Sequence, residues 1–277
     1  MARAWQLAIM AVCLLNGPAT WSAPVILVAD GQAKAVIIAS ERVMAPIAGK
    51  LPAQEPEKEA EIQRRQLQAA VLDLAATLEK VSGAKLAIVA GRVSTSDPHA
   101  VLLAGGEQGA PDTSRPAQVT ILIGELAQAA VGPSGKTFPY KQGFRVVVSS
   151  AGAGTVSLLG ESDLATSYAI YEILDRLGCR WYMPGDLGEV LPRLATISLP
   201  EQDVSATPGT IYRGIWYADE AYRRRNRMGG LKLSAGHALE GYISKEDRVA
   251  HPDWVATVDG KPQPRRLKWG KPEVAEA

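Results

Sequence analysis

Residues 160–185 read GESDLATSYAIYEILDRLGCRWYMPG, and this stretch decides the fold. Ser162 is a residue type that accepts hydrogen bonds from the open N–H groups at a helix start, and Gly178 is placed to end the helix. Between them, apolar residues recur every three or four positions, so that one face carries Leu164, Tyr168, Tyr171 and Leu174. The pattern predicts an amphipathic helix over residues 162–177.

Helix and strand patterns alternate along the chain up to about residue 205. A second apolar stripe predicts a helix from Pro56 to Ser82, with Gly83 as its C-terminal cap. Short apolar runs predict strands at 25–28, 35–38, 86–89, 119–123, 143–149, 155–160 and 179–182. The first two runs flank the turn signal Asp30-Gly31 and are expected to form one hairpin, and the fifth and sixth runs are expected to form another. Alternating elements of this kind predict an α/β domain over residues 23–205, a small sheet with helices packed on it.

Two segments are predicted to be irregular. Residues 92–117 are rich in Ser, Gly, Pro and Asp and are expected to form a long surface loop. The segment from Pro200 to Pro208 is polar and bounded by prolines, and is expected to be a connector. The net charge changes there from −4 over residues 23–208 to +4 over residues 209–277. We therefore predict a second domain over residues 209–277.

The composition is that of an ordinary globular protein. Lys and Arg number 30 against 29 Asp and Glu, 47% of the residues are hydrophobic and 21% are charged. These values exclude a disordered tail, a collagen-like fibre and a strongly basic nucleic-acid-binding protein. Cys13 and Cys179 are too few for a disulfide framework, and a packed core thiol is expected for Cys179.

Residues 1–22 have the pattern of a signal peptide. Arg3 is followed by an apolar run over residues 7–15 and then by Asn16-Gly17-Pro18. The run is shorter than the roughly 20 residues that span a bilayer, and small residues precede a cleavage site after Ser22. The alternative is a buried N-terminal helix. We expect a secreted or periplasmic protein that has no membrane association after cleavage.

Two glycine motifs are expected to be structural. GPSGKT at 132–137 has Ala130 where a phosphate-binding loop needs glycine, and Phe138-Pro139 follows where that loop needs a helix. Gly152-Ala153-Gly154 precedes a strand, so a hairpin turn is expected there rather than a dinucleotide site. The three histidines lack metal-ligand spacing, so neither a metal nor a cofactor is expected; they are His99, His237 and His251.

The basic cluster Arg223-Arg224-Arg225-Asn226-Arg227 is expected to be a solvated surface. A chain without net basic charge has little attraction for a phosphate backbone, so no nucleic-acid partner is expected. In a sugar-binding protein, Arg side chains suit carboxylates and hydroxyls, and Trp faces stack on sugar rings. The Arg and Trp content after residue 209 is compatible with that use.

Residues 160–192 and Tyr212-Arg213-Gly214 resemble three related groups of proteins. These are the N-terminal accessory domain of alpha-glucuronidases, the second domain of beta-hexosaminidases, and secreted bacterial proteins with a DUF4838 domain. Gly236-His237 and His251-Pro252-Asp253-Trp254 are similar to the DUF4838 group. In these families a small α/β domain precedes a (β/α)8 catalytic barrel. The resemblance implies that residues 209–277 begin such a barrel, which takes about 250 residues when complete.

The resemblance also implies three substrate-binding residues. Arg213 matches an Arg at the end of the first barrel strand that binds sugar hydroxyls, His237 would lie at the end of the second strand, and Trp216 would line the same pocket. Glycoside hydrolysis needs carboxylates that flank the bond. The acidic residues in the middle of the tail match no catalytic motif and stay unassigned; they are Asp219, Glu220, Glu240, Asp253 and Asp259.

The function predicted from the sequence is therefore that of the N-terminal part of an exported carbohydrate-active protein. A glycoside hydrolase acting on polysaccharide or glycosides is expected, with catalytic carboxylates outside this chain and no activity in this chain alone. The alternative is a non-catalytic secreted module that binds carbohydrate or acts as a scaffold. Both expect a carbohydrate partner.

Overall fold

The computed structural model describes residues 23–94, 101–103, 118–233, 241 and 243–276. The signal-peptide prediction for residues 1–22 lies outside this part of the chain. The chain divides into two compact units, of which the first ends at Gly230 and the second begins at Leu231.

The first unit is built from short strands and five helices in its described part. Its strands are β1 (Val25–Ala29), β2 (Gln32–Ala33), β3 (Ala35–Ser40), β4 (Ala87–Val93), β5 (Val101–Leu103), β6 (Val119–Ile123), β7 (Phe144–Ser149), β8 (Thr155–Gly160), β9 (Arg180–Trp181), β10 (Glu189–Val190), β11 (Ile197–Leu199), β12 (Gln202–Ala206), β13 (Tyr212–Arg213) and β14 (Gly229–Gly230). Its helices are α1 (Glu41–Met44), α2 (Glu57–Ser82), α3 (Glu125–Val131), α4 (Asp163–Arg176) and α5 (Glu220–Arg225).

A seven-stranded sheet organises this unit, in the order β12-β7-β8-β6-β3-β4-β5. The four central strands β8, β6, β3 and β4 are parallel, whereas β12, β7 and β5 pair antiparallel with their neighbours. A smaller antiparallel sheet in the order β11-β1-β2 joins the same hydrophobic core. The mixed α/β prediction, sheets with helices packed on them, is confirmed.

Helices α2 and α4 pack against each other and against one face of the seven-stranded sheet. The Ser162 hydroxyl accepts a hydrogen bond from the Ala165 N–H at 3.1 Å and so caps α4, as predicted. Gly83 ends α2 in the left-handed conformation, also as predicted. The other face of the sheet is covered by α3 through Leu126 and Ala127. Both amphipathic helices are therefore confirmed within a residue or two of their predicted bounds.

One hairpin prediction and one loop prediction need correction. The runs 25–28 and 35–38 do not pair with each other, because β1 turns at Asp30-Gly31 into the two-residue strand β2 and β3 then enters the seven-stranded sheet between β4 and β6. The predicted loop 92–117 is wrong at 92–93 and 101–103, where β4 and β5 pair antiparallel. The hairpin of β7 and β8 is confirmed.

The segment from Pro200 to Pro208 is not a connector. Residues 202–206 form β12, which pairs with β7 over five residues at the edge of the seven-stranded sheet. Arg145 on β7 binds Asp203 through two hydrogen bonds of 2.7 and 2.6 Å, so the polar side chains that suggested a linker stabilise the strand pair. The first compact unit continues beyond this point to Gly230.

The second unit contains α6 (Lys245–Ala250), β15 (Val255–Val258), β16 (Lys261–Leu267) and α7 (Pro272–Glu276). Its small core holds Ile243, Val255, Leu267 and Val274. In the described residues after Ala206, the strand pairs β13–β14 and β15–β16 are both antiparallel, and the parallel pair that opens a (β/α)8 barrel is not among them. No helix in the described ranges is long and apolar enough to cross a bilayer.

Candidate functional site

Trp216 lies on an exposed segment between β13 and α5. Its side chain is 56% exposed and meets the ring of Tyr217 edge to face, with 6.2 Å between the ring centroids. Tyr217 is 96% exposed and has a φ of 60°. A non-glycine residue in this left-handed region is strained, so the segment holds two large rings in water at some energetic cost.

A second loop carries another exposed ring and is bound to the same helix, α5. Tyr182, directly after β9, is 69% exposed, and its carbonyl accepts a hydrogen bond from the Tyr222 hydroxyl at 3.3 Å. The next residue of α5, Arg223, donates to the carbonyl of Ile215 at 3.2 Å. Consecutive residues of one helix therefore tie the two loops together. We call Tyr182, Trp216 and Tyr217 the aromatic surface.

Arg213 is held inside the first unit. Its guanidinium donates hydrogen bonds to the carbonyls of Thr210 and Arg227, to the side-chain oxygen of Gln142 and to the Tyr168 hydroxyl. It also lies over the Tyr168 ring, with 5.6 Å between its central carbon and the ring centroid. These contacts fasten β13 to α4, which is a structural use of the residue that the resemblance assigns to sugar binding.

The Arg213→Ala substitution is expected to lower the free energy of unfolding by about 2 kcal/mol, because four hydrogen bonds from a charged group are lost. Chemical denaturation measures this change. Arg223→Ala, on the same segment, removes one exposed hydrogen bond and is expected to stay within about 0.5 kcal/mol of the parent protein. Equal stability of the two variants would contradict a fastening role for Arg213.

The other predicted positions are dispersed. His237 and Glu240 lie outside the described residues. Asp219 caps α5, where its carboxylate accepts from the Tyr222 N–H at 2.7 Å, and Asp253 binds Lys271 at 2.6 Å in the second unit. Asp259 lies in the turn between β15 and β16 with a φ of 50°. Asp219 and Asp253 are thus used for capping and ion pairing and Asp259 for a turn, whereas Glu220 is exposed in the first turn of α5.

The prediction that the basic cluster at 223–227 is a solvated surface holds for Arg223 but is wrong for Arg224, Arg225 and Arg227. Arg224 is only 8% exposed and donates to the Tyr171 hydroxyl at 2.8 Å and to the Asp73 carboxylate at 2.9 Å. Tyr171 in turn donates to the same carboxylate at 2.7 Å. Arg225 donates to the other oxygen of Asp73 at 3.2 Å. One carboxylate of α2 therefore binds two arginines of α5.

The arginines of the cluster also contact β9 and α4. Arg225 stacks over the Trp181 ring at 5.4 Å, and Arg227 pairs with Glu172 at 2.8 Å. Glu189 accepts hydrogen bonds from Trp181 and Lys80. The ion pairs of Asp73 on α2 and Glu172 on α4 with these arginines hold residues 209–230 against the two helices. They are the physical reason why the compact unit extends past Pro208. They also hold the two loops that carry the aromatic surface.

Burial and hydrogen bonding act in opposite directions on these groups. Burial raises the pKa of Asp73, but hydrogen bonds from Arg225, Tyr171 and Arg224 outweigh it, so that the carboxyl has a pKa below its usual value of 3.8. Burial raises the pKa of the Tyr171 hydroxyl, which stays a hydrogen-bond donor. Burial also raises the pKa of the Cys179 thiol to about 11, as fits the packed thiol that the sequence predicts.

Two charged clusters are not predicted from the sequence, one centred on Asp73 and one on Arg42. Asp73 is the one acidic residue between Ile62 and Leu78, beside the apolar stripe of α2, and that isolation was the available signal. Arg42 binds Asp163 and Glu125 across long sequence separations, which no local pattern reveals. Within the described ranges, no three His, Cys, Asp or Glu side chains come together as metal ligands do.

No protein-family model matches the chain, and no curated protein matches it.

Proposed function

We propose that this chain is the N-terminal part of an exported carbohydrate-active protein, and that the aromatic surface contacts the sugar. The observation that carries the proposal is the exposed Trp216–Tyr217 pair, with 56% and 96% of the two side chains open to water. Exposed clustered rings on a soluble protein commonly mark a binding surface. The faces of such rings are apolar and suit the C–H faces of sugar rings.

The support beneath these rings favours a binding role. Both loops are tied to α5, and α5 is fixed by the buried Asp73–Arg224 pair. A surface that is ordered before its ligand arrives loses less entropy on binding than a mobile one. The resemblance of residues 160–192 to accessory domains of glycoside hydrolases indicates the same ligand class, and the predicted leader at 1–22 supports export.

Binding without hydrolysis by this chain is the second candidate. The specific observation in its favour is that Asp219 and Asp253, two of the acidic residues of the tail, already serve a helix cap and an ion pair. An acid–base pair flanking a glycosidic bond needs carboxyl groups that are free to face the substrate. A reducing-sugar assay on this chain is expected to detect no product under either candidate, so hydrolysis by this chain would contradict both.

The test is the Trp216→Ala variant in affinity electrophoresis through gels containing xylan, pullulan, pectin or hydroxyethylcellulose. We expect at least one polysaccharide to retard the parent protein and Trp216→Ala to bind it at least about tenfold more weakly, which is about 1.4 kcal/mol. Because the ring is exposed, the melting temperature should hardly change.

Trp269→Ala is the matched control, since Trp269 is a partly exposed tryptophan of the second unit at 38% exposure. Its binding is expected to equal that of the parent protein. Retardation of the parent by none of the four polysaccharides, or equal binding by Trp216→Ala, overturns the proposal.

A further inference from the structure

The carboxyl ends of three parallel strands meet at one edge of the seven-stranded sheet. Ser40 ends β3, Gly124 follows β6 and Gly160 ends β8. The chain passes from β3 to β4 on one side of β3 and then to β6 on its other side. Open α/β sheets bind small ligands in the crevice at such a reversal, outside the carboxyl ends of the strands.

Arg42 occupies this crevice. Its guanidinium makes two hydrogen bonds to Asp163, of 2.7 and 2.8 Å, and one from Nε to Glu125 at 3.2 Å. Each terminal nitrogen of an arginine carries two N–H groups, and the bonds to Asp163 use one on each. The side chain is 46% exposed, and no described residue accepts a hydrogen bond from the second N–H group of either terminal nitrogen.

Beside Arg42 is a cleft of about 570 Å³, lined by the segment 45–52 and by the first turns of α2. Two arginines of α2 hold this segment by its main chain. Arg64 donates to the carbonyl of Ala45 at 3.1 Å, and Arg65 donates to the carbonyl of Ala48 at 2.6 Å. The Glu61 carboxylate binds both arginines, whose hydrogen bonds lower its pKa to about 2. The rim of the cleft is therefore held in place by charged side chains.

The cleft is lined by three cations, one carboxylate and several apolar side chains. Lys50 reaches it as a cation that, among the described residues, makes no ion pair, whereas Arg64 is paired with Glu61. Pro46, Leu51 and Pro52 supply apolar surface next to this cation. A cation and the outer N–H groups of an arginine suit a carboxylate, and the walls suit an apolar body.

We propose that this cleft binds a small organic anion, a carboxylate on an apolar body. The carboxylate lies between the Lys50 ammonium and the outer face of Arg42, and the apolar body packs on Pro46, Leu51 and Pro52. Arg42 keeps its bonds to Asp163, which fix its guanidinium for the ligand. The site is separate from the aromatic surface, and the proposal does not rest on carbohydrate binding.

Benzoate is the probe, and benzamide is its neutral counterpart of nearly the same shape. Amide chemical shifts of the 15N-labelled chain are recorded during titration with each compound. We expect benzoate to shift the amides of residues 41–52 in a saturable way with a dissociation constant near about 1 mM, a usual affinity for a fragment of this size. Benzamide is expected to bind at least about tenfold more weakly.

The Lys50→Met variant keeps an unbranched apolar chain and removes the charge. It is expected to bind benzoate about tenfold more weakly, whereas Lys34→Met, at the opposite end of β3, is expected to bind like the parent protein. Both lysines are at the surface, so both variants should keep the parent spectrum outside the mutated region. The proposal is overturned by equal binding of benzoate and benzamide, by shifts outside residues 41–52 only, or by no loss in Lys50→Met.

Discussion

The Asp73→Asn substitution is expected to lower the free energy of unfolding by about 3 kcal/mol. The Asp73 carboxylate binds two arginines of α5 and the Tyr171 hydroxyl, and Arg224 is 8% exposed. Removing one partner of a buried pair leaves the other charge without compensation, and that loss is larger than the contribution of the pair itself. Urea denaturation followed by circular dichroism measures the difference.

The same variant should change the dependence of stability on pH. The pKa of Asp73 in the folded chain lies below 3.8, its value when unfolded, so its stabilising contribution is complete above pH 3.8 and is lost as the pH falls through the folded pKa. The parent protein therefore loses stability in acid in part through this group. The fall in stability below about pH 4 should be shallower in Asp73→Asn.

Glu79→Gln is the matched control on the same helix, because Glu79 is an exposed carboxylate near the end of α2. It is expected to change the free energy of unfolding by no more than about 0.5 kcal/mol. Asp73→Asn as stable as Glu79→Gln would contradict the view that Asp73 fixes α5.

The Gly160→Ala substitution is expected to be strongly destabilising, although it adds only a single methyl group. A Cβ at Gly160 would lie 2.5 Å from the main-chain nitrogen of Thr166 and as close to the carbonyl carbon of Ala165. These atoms belong to the first turn of α4, which cannot move without leaving its packing on α2. Overpacking against main chain is expected to cost about 3 kcal/mol or more.

Gly209→Ala provides the comparison, because a Cβ there would meet no atom within 4 Å. We expect its unfolding curve to match that of the parent protein. If Gly160→Ala does not accumulate as soluble protein, limited proteolysis of freshly made chains gives the measurement, with rapid cleavage expected for Gly160→Ala alone. Equal resistance of the two variants would show that α4 can be displaced from the end of β8 at little cost.

The elements that the sequence predicts well are those whose signals are local. Ser162 caps α4 and Gly83 ends α2 because each residue type has a backbone or hydrogen-bonding property suited to that position. The apolar stripes of both helices face the core as their spacing requires. The two long helices and the hairpin of β7 and β8 can therefore be predicted from the sequence alone.

The pairing of strands that lie far apart in the sequence is harder to predict from the sequence. β3 looks like the second strand of a hairpin because Asp30-Gly31 is a strong turn signal, yet its burial among β4 and β6 decides its position. Residues 202–206 look like a linker because they are polar, yet an edge strand has one open side and tolerates polar residues such as Asp203. In both cases tertiary packing overrides the local pattern.

The candidate site likewise contains features that the sequence predicts and features that depend on tertiary contacts. Trp216, to which the resemblance assigns a place in a sugar pocket, is exposed. The four hydrogen bonds of Arg213 are made to Gln142, Tyr168 and two main-chain carbonyls, which no motif indicates. The run of arginines at 223–227 predicts a solvated surface, because runs of charged residues usually face water. Their burial depends on acidic partners on α2 and α4 about fifty or more residues earlier in the chain.

The contacts of those arginines define where this protein can be divided. A version ending at Pro208 would keep every strand of the seven-stranded sheet. It would leave Asp73 without its two arginines, Glu172 with Arg176 but without Arg227, and the Tyr168 and Tyr171 hydroxyls without their arginine partners. Residues 209–230 thus belong to the same compact unit as the seven-stranded sheet, and a chain truncated at Pro208 is expected to be destabilised. The boundary between the two compact units lies after Gly230, and we expect a shortened chain that ends there to keep these contacts.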